Sequence, residues 1–322
     1  MVSISEIRAH LAGISKLGPN LVGVFVGGTS GIGESTAREF VRHATSPRVY
    51  LVGRSREQAD RLITEFKALN KESQTHFIQS DVSILRNVDG VCKEISAKEE
   101  KVNLLVLSAG IMTMKGRDET VEGLDKKLSL HYYSRLRFTT NLLPLLRTAS
   151  TAQPPLARVI SVLGAGFEGA INTSDLSLRN PNSYSTRAAA DTATSMTSLA
   201  FDHLASDPAN KGVGFIHSSP GGVDTNLTRG FGPVVSKIVS VGIFMLRPTG
   251  MIVSPKESGE RHVWAGTVDR FASGLSLINL NGEKASGKVF EGLKKDGSGE
   301  KVWEHTKDVL RKIGEIGKYE GS

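Results

Sequence analysis

The chain has 322 residues, of which 39% are hydrophobic and 34 are glycine, a composition typical of a globular α/β protein and not of a disordered or fibrous one. The net charge is +7, but the lysines and arginines are scattered rather than gathered into a stripe, so we expect a solvated basic surface and no nucleic-acid partner. The single cysteine, Cys92, can form neither an internal disulfide nor a cysteine metal site. We predict no metal site.

Two segments bear on location. Residues 1–18 carry Glu6, Arg8 and Lys16 and lack the unbroken apolar core of a secretory leader. The apolar segment 234–246 contains Lys237 and is shorter than the roughly 20 residues that cross a bilayer. We therefore expect a cytoplasmic protein with no stable membrane insertion.

Short β-branched runs alternate along the chain with stretches of helical period, the pattern of β-α-β units with a parallel sheet. The predicted strands are residues 22–26, 49–52, 76–79, 104–107, 159–162, 213–217 and 275–280. The predicted helices are residues 33–43, 56–70, 87–97, 123–147, 184–205 and 301–313. We expect one doubly wound α/β domain over residues 21–281, with a lid at about 226–256, an N-terminal segment 1–20 and a C-terminal extension 282–322.

A glycine-rich segment, Val-Gly-Gly-Thr-Ser-Gly-Ile-Gly at 26–33, directly follows the first predicted strand and precedes a helix-forming run. Glycines there allow a tight turn, close approach of backbone to a pyrophosphate and close packing of helix on sheet, and the helix N-terminus holds the phosphates. Such a cluster alone is a weak signal, but its strand-to-helix context predicts a dinucleotide site in a Rossmann fold.

In this segment and three later ones the sequence resembles the short-chain dehydrogenase/reductase family, from about residue 21 to 272. Gly27, Gly31 and Gly33 have the family's glycine spacing. The resemblance implies that residues after the third predicted strand contact the adenine. It also implies that residues after the fourth strand, where Ser108 replaces the family's asparagine, and a Pro-Gly loop at the nicotinamide half belong to the cofactor site. The complete predicted cofactor set is Gly27, Thr29, Ser30, Gly31, Ile32, Gly33, Arg54, Asp81, Val82, Ser108, Ala109, Gly110, Pro220, Gly221, Val223 and Thr225.

The end of the second strand predicts which cofactor binds. NAD enzymes place a carboxylate there for the ribose hydroxyls, whereas NADP enzymes supply a cation for the 2′-phosphate. Gly53 stands where the acid would be and Arg54 follows it, although Arg54 and Arg56 also fit a plain surface role. We predict NADP(H) as the cofactor.

The family's catalytic residues are only partly matched. The resemblance implies that Tyr184 is the proton donor, but its fourth following residue is Ala188 rather than lysine, and Arg187 comes one residue early. Gly164 stands where the family has a serine, with Ser161 three residues before it. His131 takes the place of the family's asparagine.

Two accounts of the site fit the sequence. In the first, Arg187 supplies the cation beside Tyr184, His131 relays a proton or donates to substrate, Ser161 assists, and the chain is an NADP(H)-dependent oxidoreductase. In the second, hydride transfer is lost and the fold serves as a cyclase, an isomerase or a non-catalytic partner.

The chain also looks like a divergent branch of the family found in filamentous fungi and in specialised-metabolite pathways. This resemblance implies a small, apolar organic substrate. Relatives associate through the long fourth and fifth helices, which leaves a homo-oligomer open.

Overall fold

The computed structural model describes residues 2–223 and 252–321. Its centre is a seven-stranded parallel sheet in the order β3-β2-β1-β4-β5-β6-β9. The strands are β1 Val22–Val26, β2 Arg48–Gly53, β3 Gln74–Gln79, β4 Leu104–Leu107, β5 Arg158–Val162, β6 Gly214–Ser218 and β9 Gly274–Ile278, and a separate parallel pair is formed by β7 Gly222–Val223 and β8 Ile252–Val253. The predicted doubly wound α/β fold is confirmed.

Helices cover both faces of this sheet, which is why its central strands read as continuous apolar runs. Val22, Val24 and Val26 of β1 join one core, while Phe25 joins the other, as the two-residue period of a strand requires. The helices are α1 Ile4–Leu11, α2 Gly31–His43, α3 Arg56–Leu69, α4 Leu85–Ser96, α5 Lys126–Leu128, α6 Ser134–Thr151, α7 Thr186–Ser206, α8 Pro255–Thr267, α9 Lys288–Lys295 and α10 Ser298–Ile316. A π-helical turn, Ser129–Tyr133, joins α5 to α6.

All seven predicted strands of the main sheet are present, with ends that differ by no more than a few residues. Three helices were not predicted, namely α1, α8 and α9. Most of the predicted lid falls in residues 224–251, outside the described residues. In the described part of the chain no helix has both the length and the apolarity to cross a bilayer.

The C-terminal extension completes the main core. Val302 and Val309 of α10 are fully buried together with residues of α4, α6 and α7, and Tyr319 near the chain end is 1% exposed. At the other terminus, α1 packs on α8, where Arg8 is ion-paired with Glu260 at 3.0 Å.

This packing predicts that α10 is required for stability. Val309→Asp buries a carboxylate without a partner, and we expect the free energy of unfolding to fall by about 3–5 kcal/mol. Chemical denaturation followed by circular dichroism measures this loss. Lys301→Asp on the exposed face of the same helix is the control, and an equal loss in both variants would contradict a buried role for Val309.

Candidate active site

The glycine turn lies between β1 and α2, beside the point where the strand order reverses. In an open α/β sheet, ligands bind in the crevice outside the carboxyl ends of the strands at this switch point. Gly27 has a φ of 81°, and a Cβ there would lie 2.7 Å from the Ala109 amide nitrogen. A Cβ on Gly33 would overlap the Ser108 hydroxyl and the Gly27 carbonyl oxygen. Only glycine allows β1, β4 and α2 to approach this closely.

The N-terminus of α2 is suited to bind phosphate. Ser30 is its N-cap and makes no side-chain capping bond, so the first-turn amides of Gly31, Ile32 and Gly33 are not capped by it. Thr29 beside them is buried. Free amides at a helix N-terminus favour an anion, and the turn therefore fits the pyrophosphate of a dinucleotide.

The end of β2 gives a steric reason for the missing carboxylate. A Cβ on Gly53 would lie 2.6 Å from the Thr29 hydroxyl oxygen, so no acidic side chain fits there while Thr29 keeps its position. The side chain of Arg54 is exposed and forms no ion pair with the described residues. Arg56, in contrast, lies over the Phe77 ring and 3.8 Å from Asp60.

Other residues of the predicted cofactor set line the same edge of the sheet. Asp81 is exposed and accepts a hydrogen bond from the Ser83 amide, while Val82 is buried. Ser108 donates to the Val26 carbonyl at 3.0 Å, so its hydroxyl joins β4 to β1. The remaining members are Ala109 and Gly110 after β4 and Pro220, Gly221 and Val223 after β6; Thr225 lies outside the described residues.

Tyr184 lies just before α7 and is bound by two buried charged groups. Its hydroxyl accepts a hydrogen bond from the Lys127 ammonium at 2.8 Å and donates to Asp125 at 3.0 Å. Asp125 caps α5, and Lys127 also donates to the Gly116 carbonyl. Burial and the Asp125 carboxylate raise the pKa of Tyr184 above its usual value, so the phenol is protonated at neutral pH.

Arg187 does not supply the cation that was predicted beside Tyr184. Its guanidinium, with 82% of the side chain exposed, is bound to Asp191 at 2.7 Å, one turn further along α7. The ammonium that contacts the phenol comes from Lys127 instead. The separation of the two residues in sequence explains why spacing around Tyr184 did not reveal it.

His131 lies in the π-helical turn and contacts the loop after β4. Its Nε2 accepts a hydrogen bond from the Ile111 amide at 3.1 Å. Burial, together with the charges of Arg135 and Lys127, lowers the pKa of His131 to about 3, so the ring is neutral and its proton is on Nδ1. Nδ1 bonds to none of the described residues and is therefore a candidate donor to a ligand.

Ser161 is completely buried in β5, where its hydroxyl accepts from the guanidinium of Arg135 at 2.8 Å. Gly164 follows in the loop, and its amide donates to Nε2 of His217. Ser198 donates to Glu168 and so accepts from Nδ1 of His217. This buried chain fixes the loop after β5, but it places no hydroxyl at position 164.

Sequence reasoning missed Asp125, Lys127 and Arg135. One signal was present: Lys127, His131 and Arg135 are spaced four residues apart in a largely apolar helical stretch, which puts three basic groups on one face. Charged groups on a buried helix face need polar partners. This spacing therefore indicates that the three residues belong to a polar site inside the protein.

Comparison with known proteins settles the family. The model of the short chain dehydrogenase family matches residues 22–233. The chain belongs to this family. The predicted family is thereby confirmed, and with it a place among oxidoreductases.

Curated fungal relatives support the predicted place of this chain in the fungal branch of the family. "Oxidoreductase AN1596" of Emericella nidulans is 38% identical, with 96% of this chain and 98% of the relative covered. "Short-chain dehydrogenase/reductase SAT2" of Stachybotrys chartarum is 29% identical, with 99% and 98% covered. Among solved structures, the "RhlG/NADP active-site complex" of Pseudomonas aeruginosa aligns with a TM-score of 0.61 at 20% identity, covering 84% of this chain and 98% of that one, and this likeness shows the fold.

Proposed function

We propose that this protein is a cytoplasmic, NADP(H)-dependent oxidoreductase that reduces a carbonyl or oxidises an alcohol of a small, apolar specialised metabolite. The residues at the end of β2 support NADP(H) rather than NAD(H) as the cofactor. Gly53 has no space for a carboxylate side chain, and the guanidinium of the adjacent Arg54 is exposed and unpaired among the described residues. This arrangement suits a 2′-phosphate, which a cation recognises by charge-assisted hydrogen bonds.

Tyr184 is the proton donor in this proposal. When bound, the cofactor would supply the hydride, with its two electrons, for the carbonyl carbon, and Tyr184 would give its phenolic proton to the carbonyl oxygen. Asp125 keeps the phenol protonated before the reaction, and the Lys127 ammonium, bonded to the same oxygen, stabilises the phenolate that remains.

His131 would donate its Nδ1 proton in a hydrogen bond to the substrate. Ser161 and Arg187 act through neighbouring residues, because the first is buried and the second is paired with Asp191.

The loops that follow β4 and β5 support an apolar substrate. Met112, Met114 and Phe167 are 47%, 74% and 73% exposed, and both loops leave the carboxyl edge of the sheet. Exposed apolar groups beside a cofactor crevice are typical of a binding site for an apolar ligand.

The test is a fluorescence titration with NADPH and NADH, followed by measurement of NADPH consumption with aldehydes, ketones and quinones. We expect tighter binding of NADPH and turnover of at least one carbonyl class. Failure to bind either cofactor would overturn the proposal.

Arg54→Ala tests the cofactor assignment directly. Loss of a charge-assisted contact should raise the Kd for NADPH by about tenfold to a hundredfold and leave the Kd for NADH nearly unchanged. Arg56→Ala removes a neighbouring guanidinium that already has partners, and we expect little change in either Kd. Equal weakening of NADPH and NADH in Arg54→Ala would argue against a 2′-phosphate contact.

A second candidate function is a redox-silent one, as a cyclase, isomerase or partner subunit. The observation that favours it concerns the position of the family's serine: position 164 is glycine, and the nearby Ser161 is fully buried. NADPH binding without consumption on any member of the carbonyl panel would support this alternative.

A further inference from the structure

Arg135, in the first turn of α6, is a buried arginine with only neutral partners. It is 2% exposed. Its guanidinium donates to the Ser161 hydroxyl and the Val162 carbonyl at 2.8 Å each, to the Ala109 carbonyl at 2.8 Å and to the Leu130 carbonyl at 3.2 Å. Four of its five N–H groups therefore have hydrogen-bond partners, but its charge has no counter-ion among the described residues.

No carboxylate of residues 2–223 or 252–321 forms an ion pair with Arg135. Burial lowers the pKa of Arg135 to about 9, which leaves it positively charged at neutral pH. Its charge also helps to lower the pKa values of His131 and His217. This part of the core therefore has a fixed positive potential that no carboxylate in the described part of the chain offsets.

Arg135 lies directly behind the wall of the cofactor crevice. Ala109, whose carbonyl it binds, follows β4, and the Ala109 amide nitrogen packs against Gly27 at the end of β1. β1 and β4 flank the point where the strand order reverses, and a ligand binds outside their carboxyl ends. Through the Ala109 and Val162 carbonyls the guanidinium is bonded to the ends of β4 and β5, across the switch point from β2 and Arg54, on the side where the nicotinamide half of the cofactor would lie.

We propose that Arg135 makes the crevice selective for the reduced form of the nicotinamide cofactor over the oxidised form. The inference rests on the proposed function and deepens it. The oxidised nicotinamide ring carries one positive charge and the reduced ring carries none, whereas the pyrophosphate and the 2′-phosphate are the same in both. The glycine turn and Arg54 therefore cancel in the ratio of the two affinities, and the repulsion by Arg135 remains.

Selectivity of this kind would keep the protein loaded with NADPH and would promote release of NADP⁺. The protein is then set to reduce a carbonyl rather than to oxidise an alcohol. One buried charge acting through a protein-like dielectric changes the ratio by about tenfold.

The test is the ratio of the Kd for NADP⁺ to the Kd for NADPH, measured by calorimetry with the full chain. We expect a ratio of about ten in the wild type, a similar ratio in Arg135→Lys, which keeps the charge, and a ratio near one in Arg135→Met. A wild-type ratio of one or less, or an unchanged ratio in Arg135→Met, would overturn the inference.

Arg158→Met is the matched control. Arg158 is also a buried arginine, 3% exposed and bound to backbone carbonyls, but it lies at the opposite end of β5. Its removal should leave the ratio unchanged. An equal fall in both variants would assign the effect to net charge and contradict the inference.

Two further measurements keep the test decisive. Adenosine 2′,5′-bisphosphate, which lacks the nicotinamide, should bind Arg135→Met as it binds the wild type if the variant is folded. No binding to the wild type would be a failure of the proposed function itself.

If Arg135→Met does not fold, Ser161→Asp is the second variant. It places a carboxylate beside the guanidinium, and the ratio of the Kd for NADP⁺ to the Kd for NADPH should fall in this variant too. A properly folded Ser161→Asp variant with the wild-type ratio would count against the inference.

Discussion

Tyr184→Phe is expected to lower kcat for carbonyl reduction by about a hundredfold or more, because a positioned general acid contributes about 10²–10⁴ to the rate. The substitution removes only the hydroxyl oxygen, which is bonded to both Lys127 and Asp125. The two charged groups lie 3.9 Å apart and can still pair, so the fold should be retained. Steady-state NADPH consumption measures the loss, and the Kd for NADPH should change little.

The pH profile gives a second readout of the same residue. Since burial and Asp125 raise the pKa of Tyr184, the phenol stays protonated up to and beyond the usual tyrosine value of about 10. We expect the reduction rate to show no loss attributable to this group between pH 7 and about 10, and to fall only above its raised pKa.

Tyr50→Phe is the matched control for this prediction. Tyr50 also donates its hydroxyl to a carboxylate, Glu99, at 2.6 Å, but Glu99 lies between α4 and β4 at the amino edge of the sheet. This variant should lose some stability and keep kcat. Wild-type turnover in Tyr184→Phe would instead assign the phenol a structural role, joining α5 to the segment before α7.

The sheet was predictable because its signal is local. A run of five apolar or small residues, as in β1, is typical of a strand covered on both faces, and the glycines after it mark the turn into α2. Helices α1 and α9 were missed because each has only eight residues. α8 begins at Pro255 and contains Gly259 and Gly266, residues that ordinarily argue against a helix.

The cofactor positions were predictable for the same reason, since each follows the end of a strand. The partners of Tyr184 were not. Lys127 and Asp125 lie almost sixty residues earlier, and only the packing of α5 against the start of α7 brings them to the phenol. Arg135 was also overlooked, because a sequence does not reveal that an arginine is buried, nor that no carboxylate of the described residues pairs with it.

Gly33→Ala is expected to weaken NADPH binding by a hundredfold or more and to destabilise the fold. The new methyl group would overlap the Gly27 carbonyl oxygen and the Ser108 hydroxyl. The hydroxyl is itself bonded to the Val26 carbonyl, so neither neighbour can move without disturbing β1. The first turn of α2 must therefore shift away from the glycine turn, and the phosphate site is lost with it. Overpacking of this kind costs about 1–3 kcal/mol.

Gly90→Ala makes the same chemical change with the opposite expectation. Gly90 is exposed within α4, and a Cβ at this position would have no neighbour within 4 Å among the described residues. Alanine should therefore stabilise the helix by about 0.5–1 kcal/mol and leave NADPH affinity unchanged. Thermal unfolding and a cofactor titration on both variants separate the two cases. Normal NADPH binding by a stable Gly33→Ala protein would show that the close approach of α2 to β1 and β4 is not what forms the phosphate site.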